Sequence, residues 1–145
     1  MTSFGKSSTQ QWPTVHIATP SGVEAYLSLA QEAGLAVGEV TETIRTVAEF
    51  FSAVAVAMRF PAYFGKNQNA FIDCLRTLDE TWPAPGHVLI LRDANELWRA
   101  EPGFVHWLFE DWLAVGEERI ERYDKRIHLV WQLKTHQYVM KFPPV

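Results

Sequence analysis

Residues 87–91, HVLIL, form an apolar run with no polar alternate, the pattern of a strand covered on both faces rather than one with a wet side. Such strands belong to parallel sheets, whose connections are helical crossovers. The rest of the chain supplies the alternation this requires. Val15–Ala18 reads as a short apolar strand, and residues 21–33 follow with Val23, Tyr26, Leu27 and Ala30 at helical spacing, closed by Gly34. Residues 35–40 read as the next strand. Thr46 and Glu49 form a T-x-x-E capping box ahead of Val47, Phe50, Phe51, Val54 and Met58, which share one helical stripe. Asp93 and Glu96 read as a second capping box, for a short helix ending near Glu101. Pro102 opens a longer helix with Phe104, Leu108, Trp112 and Val115 on one face and Gly116 as a candidate break. Residues 127–133 are the last clear strand. The expectation is an α/β fold, a small, mostly parallel sheet of three to four strands packed with helices through right-handed crossovers.

With 145 residues, 48% hydrophobic, the chain can bury one sizeable core, and no linker divides it. Residues 1–13, with one lysine and no apolar run, read as a disordered leader rather than a secretory signal, and residues 14–145 as one domain. Residues 134–145, carrying Pro143 and Pro144, are expected to form a tail lying over the surface or adding an edge strand. No stretch of about 20 apolar residues is present to span a bilayer. The single cysteine excludes an internal disulfide and suits a cytoplasmic setting. A net charge of -4 argues against phosphate-backbone binding, which needs clustered Lys and Arg, and suits a basic partner instead.

Signatures of catalysis are missing. The sequence contains no P-loop, no G-x-G-x-x-G, no G-x-S-x-G, no H-E-x-x-H and no cysteine pair for zinc, so neither a cofactor nor a metal is expected. His16, His87 and His128 fall in or at the start of strands, where a hydrogen-bonded structural role is commoner than general-base work, and His106 and His136 read as surface. Cys74 falls on a buried helical stripe and reads as packing. Trp107, Trp112 and Trp131 also read as core, while Trp82 and Trp98 have no assigned place.

The segment with the composition of a binding surface is residues 60–78, FPAYFGKNQNAFIDCLRTL. At about 100° per residue, Ala70, Phe71, Cys74, Leu75 and Leu78 lie on one side and Asn69, Ile72, Asp73 and Arg76 on the other. Pro61 disfavours helix in the residue before it, Gly65 permits a turn, and Asn67 can cap the amides that follow. Tyr63, Phe64 and Gly65 on the loop, with Ile72 and Asp73 on the outward stripe, are residue types found in protein interfaces. The competing reading is a plain helical hairpin, with Asp73 solvated and Tyr63 packed.

PAYFGKNQNAFIDCL resembles the corresponding loop and helix of the barstar family of ribonuclease inhibitors. The resemblance runs back through TIRTVAEFFSAVAVAMRF and forward through HVLIL to IHLVWQL, about residues 35–133; residues 12–34 look like an additional strand and helix, similar to longer bacterial relatives. It implies a non-enzymatic inhibitor, acting as a cytoplasmic antitoxin or immunity protein. Its partner would be a basic ribonuclease toxin, met by a monomer that forms a heterodimer. The resemblance carries partner-binding roles onto Tyr63, Gly65, Asn67 and Asp73, with Phe64 and Arg76 beside them. Asn69 and Ile72 depart from the family pattern, which has an aspartate and a tryptophan there. With Arg59, Lys66 and Arg76 in the same segment, that departure suits an altered choice of nuclease, or a binding module whose partner is no nuclease.

Overall fold

The computed structural model describes Trp12 and residues 14–134; apart from Trp12 and Lys134, the expected leader and the expected tail, His136 included, lie outside these residues. Four strands, β1 (Val15–Ala18), β2 (Ala36–Val40), β3 (Gly86–Leu91) and β4 (Arg126–Gln132), form one sheet in the order β1-β4-β3-β2. All three pairings are parallel, so the sheet is wholly rather than mostly parallel among the described residues. Six helices connect the strands: α1 (Pro20–Glu32), α2 (Val47–Ala57), α3 (Gln68–Arg76), α4 (Leu78–Thr81), α5 (Asn95–Ala100) and α6 (Pro102–Tyr123).

The path from β1 to β2 crosses the whole sheet, and β3 and β4 then step back towards β1. Crossovers of one hand that travel in opposite directions must lie on opposite faces. Accordingly α1 covers the face of Val88, Ile90 and Val130, through Val23, Tyr26 and Ala30, with Trp12 packed beside them. The larger core lies on the other face, where Phe50, Phe51, Phe71, Leu108 and Trp112 pack over Leu89, Leu91, Leu129 and Trp131. Every residue of β3 is buried, as its uninterrupted apolar run requires. The additional amino-terminal unit extends the sheet, with β1 an edge strand paired to β4.

Local signals explain most helix ends. Thr46 Oγ1 accepts from the Glu49 amide at 3.1 Å, and the Glu49 carboxylate reaches back to the Arg45 amide at 2.8 Å, one residue earlier than in the standard box. Gly34, at φ 75°, supplies the left-handed residue after α1. Two expectations fail. Asp93 does not cap α5, whose N-cap is Ala94 without a side-chain bond; Asp93 instead accepts from Thr43 Oγ1 at 2.7 Å and pairs with Lys134 at 3.8 Å, fastening the β2–α2 loop. Nor does Gly116 break α6. A Cβ there would meet Thr14 Cγ2 at 2.9 Å, so the glycine lets the segment leading into β1 pass close to the helix. Trp98, left unplaced by the sequence, is buried edge-on between Phe109 and Trp131. Trp82 is half-buried beneath the Arg59 guanidinium, 4.2 Å from its ring centroid.

His87 is buried on the larger-core face, with Nε2 2.6 Å from the Trp82 carbonyl oxygen. Burial lowers its pKa below 6.5 against the raising influence of that carbonyl and of Asp79, and Arg119 and Lys125 add to the lowering. Burial lowers His16 in the same direction. Both rings therefore protonate less readily in the folded protein than in the unfolded chain. Their contribution to stability is complete above 6.5 and is lost as pH falls through the depressed folded-state values. Asp79 follows in acid: burial pushes its carboxyl up, but bonds from Arg119, Lys125 and the Ala84 amide hold it below 3.8, so its contribution disappears as pH drops beneath that value. Urea midpoints measured from about pH 8 to about pH 4 are expected to decline continuously on the acid side, and a flat profile would contradict the burial of His87.

Candidate functional site

The segment between α2 and α3 is held by its own backbone. The Phe60 amide donates to the Ala55 carbonyl at 2.9 Å, Phe64 N–H donates to the Pro61 carbonyl at 3.0 Å, and Asn67 Oδ1 accepts from the Ala70 amide at 2.9 Å to cap α3. The left-handed positions are Arg59, φ 58°, and Lys66, φ 54°, rather than Gly65. Gly65 serves differently. A Cβ on it would come within 3.2 Å of Asn67 Nδ2, so its bare backbone leaves room for the capping side chain.

This frame sorts the residues expected to face a partner. Tyr63 stands in solvent, 84% exposed, and Asp73 projects from α3 with a side chain 77% exposed. Gly65, Asn67, Asn69 and Arg76 are exposed beside them. Phe64 is not on this face. It turns inward to 9% exposure, with its ring centroid 5.1 Å from that of Phe60 and 6.0 Å from that of Phe51, because a benzyl group at the base of a tight turn gains more from the core than from water. Ile72 is likewise corrected: α3 packs against α6 as well as the α2 side, so the outward stripe is narrower than the helical wheel implies and Ile72 is half-buried against the main core.

Between the Tyr63 loop and α3–α4 lies a cleft of about 280 Å³, walled by Tyr63, floored by Phe64, Ala70 and Cys74, and edged by Asp73, Thr77 and Glu80. Burial first, and then the Asp73 charge, push the Cys74 thiol pKa up, so it stays protonated and unreactive. The Asp73 carboxylate lies 3.7 Å from Arg76 Nη1, and Arg76 Nε is held at 3.2 Å by Glu118 of α6. Glu118, which engages Arg76, and Glu80, at the edge of the cleft, do not stand out in the sequence. Neither has a local signature, because only tertiary packing brings them beside Asp73.

Beneath the site, Arg119 fixes the end of α3. Its side chain is 1% exposed; Nη1 donates to the Arg76 carbonyl at 3.1 Å and Nη2 to Asp79 at 3.0 Å. Among the described residues, no group of three or more His, Cys, Asp and Glu is placed to hold a metal, and no helix is long and apolar enough to cross a membrane. The arrangement offers an exposed ring, one carboxylate on a short helix and a shallow cleft, held by buried bonds. These are residue types found in protein interfaces.

A sequence profile of the family described as Barstar (barnase inhibitor) matches residues 35–132, from the residue before β2 to the end of β4. β1 and α1 precede the match. No curated protein sequence matches the chain.

Proposed function

The chain belongs to the barstar family, whose members bind ribonucleases as inhibitors rather than acting as enzymes, and from that premise we propose that it is a cytoplasmic antitoxin or immunity protein blocking the active site of a ribonuclease toxin. A ribonuclease cleft that holds a phosphodiester is lined with cationic side chains. A carboxylate fixed on a helix can take the phosphate position there and exclude RNA, while a flat ring beside it packs on the cleft wall. The observation carrying this reading is the pairing of Tyr63 with Asp73, both projecting into solvent across a cleft whose floor is part of the core. The contact surface comprises Tyr63, Gly65, Asn67, Asn69, Asp73 and Arg76, with the half-buried Ile72 at its margin.

A second reading rests on charge. Asn69 is neutral where relatives carry an aspartate, and Arg76 pairs with the one carboxylate that α3 offers. Such a surface also suits a partner that is not a nuclease, bound by the same face.

Co-purification with candidate basic nucleases, followed by titration of Asp73→Ala and Tyr63→Ala, tests the proposal. Each substitution is expected to weaken binding by about 2–5 kcal/mol, a range that rests in part on the barnase–barstar pair itself, chiefly through faster dissociation. Folding stability should stay within about 0.5 kcal/mol, because both side chains are exposed. Unchanged affinity in both variants would remove the surface from consideration. Capture of a protein without nuclease activity, sensitive to the same two changes, would favour the second reading.

A further inference from the structure

The carboxylate on which the proposed function rests is paired with a cation of its own protein. Arg76 follows Asp73 by three positions on α3, a spacing at which the two side chains meet on one helix face. A guanidinium closed onto Asp73 would occupy the oxygens that a basic partner needs. It does not close. Arg76 Nη1 stays 3.7 Å from Asp73 Oδ1, too far for a hydrogen bond, and the Asp73 side chain remains 77% exposed.

Two consecutive residues of α6 account for this. Arg119, buried beneath the helix end, donates from Nη1 to the Arg76 carbonyl at 3.1 Å and so fixes the Arg76 backbone. The guanidinium can then change partner only by turning about its own side-chain bonds. Glu118 decides which way it turns. Both of its carboxylate oxygens lie near Arg76 Nε, at 3.2 and 3.3 Å, a charge-assisted hydrogen bond that draws the group towards α6. The Glu118 side chain is also less exposed than that of Asp73, so water competes for it less. We propose, resting on the reading of Asp73 as the carboxylate that meets the partner, that Glu118 is a positioning residue for binding: it holds Arg76 aside and leaves Asp73 open to a cation of the partner. Losing Glu118 then weakens binding through Arg76 and not through the charge of Glu118 itself.

The arginine Nε–H resonances of isotope-labelled protein report the guanidinium without any partner. The Arg76 signal is expected to stay nearly in place in Asp73→Ala, to move in Glu118→Ala as the group swings onto Asp73, and to reach the position of a solvated arginine only in the double variant. A shift in Asp73→Ala as large as that in Glu118→Ala would overturn the proposal, as would a Glu118→Ala signal already at the solvated position.

Dissociation from the basic nuclease that co-purifies with the chain gives the second measurement. Glu118→Ala is expected to raise Kd about two- to fivefold, the range for an exposed charge pair, and Arg76→Ala to lower it by a similar factor. The double variant should bind as tightly as Arg76→Ala alone. A loss on Glu118→Ala that persists when Arg76 is alanine would show Glu118 acting by its own charge, and weaker binding by Arg76→Ala would make Arg76 a contact rather than an obstacle; either result overturns the proposal. Asp73→Ala separates this role from the contact surface beneath it. If Asp73→Ala leaves Kd unchanged, the surface fails and the role of Glu118 with it; if Asp73→Ala weakens binding while Glu118→Ala does not, only the role of Glu118 is lost.

Discussion

Replacing Arg119 with alanine is expected to destabilise the protein by about 3–5 kcal/mol, the usual consequence of removing one partner from a buried ion pair. The guanidinium does three things at once. It satisfies carbonyl oxygens of Leu75 and Arg76 that α3 leaves without intrahelical partners, it places positive charge at the negative end of that helix, and it pairs with Asp79. Lys125, 3.2 Å from Asp79, retains the carboxylate but cannot reach the helix end in the same bonds. Arg119→Lys should therefore recover only part of the loss, since an ammonium lacks the planar fork that serves two carbonyls and a carboxylate together. Equilibrium urea unfolding measures the difference, and in a chain of this size the thermal midpoint should fall by on the order of 10 °C. A change within about 0.5 kcal/mol would show that α3 does not depend on this anchor.

Phe71→Ala should have a comparable effect. Phe71 is fully buried on α3, and its ring centroid lies 5.7 Å from Phe50, 5.9 Å from Phe51, 5.8 Å from Phe60 and 6.0 Å from Trp107. These neighbours come from α2, the site loop and α6, so no single element can move in to fill the vacancy. Truncating a buried phenylalanine costs about 3–5 kcal/mol when the surroundings cannot collapse, against far less for a well-tolerated change of shape. Phe71→Leu should cost distinctly less. Equal losses for the two, measured by the same unfolding experiment, would mean that ring packing contributes little here.

Much of the fold was legible because its signals are local. The apolar run of β3 announces a strand buried on both faces, Thr46 and Glu49 announce the start of α2, and Gly34 announces the end of α1. The site was legible in composition but less so in orientation. A helical wheel ranks side chains around an axis without saying how far the neighbouring elements wrap around it, so Ile72 was set in solvent when α6 and the core enclose half of it. Phe64 followed Tyr63 onto the surface in that reading, although the hydrogen bond from its amide to the Pro61 carbonyl turns the two rings apart. Asp93 looked like a cap because the spacing fitted, and it was drawn away by Thr43, which is distant in sequence. Glu118, Arg119 and Asp79 reach α3 or its end only through packing, and no linear pattern encodes that.

The placement of β1 carries a consequence for the order of assembly. It leaves the ribosome before the other three described strands, yet Val15 finds its ladder partner at Leu129, in the last of the four. Throughout synthesis of the intervening chain, the nascent β1 lacks its ladder partner, and the apolar side chains of α1 stay without the part of their cover that Val130 provides. A contact spanning so much of the sequence is slow to form and leaves a vulnerable interval. Completion of the sheet therefore waits for β4 to clear the exit tunnel, and holdase binding or proteolysis during translation should concentrate on that waiting amino-terminal segment.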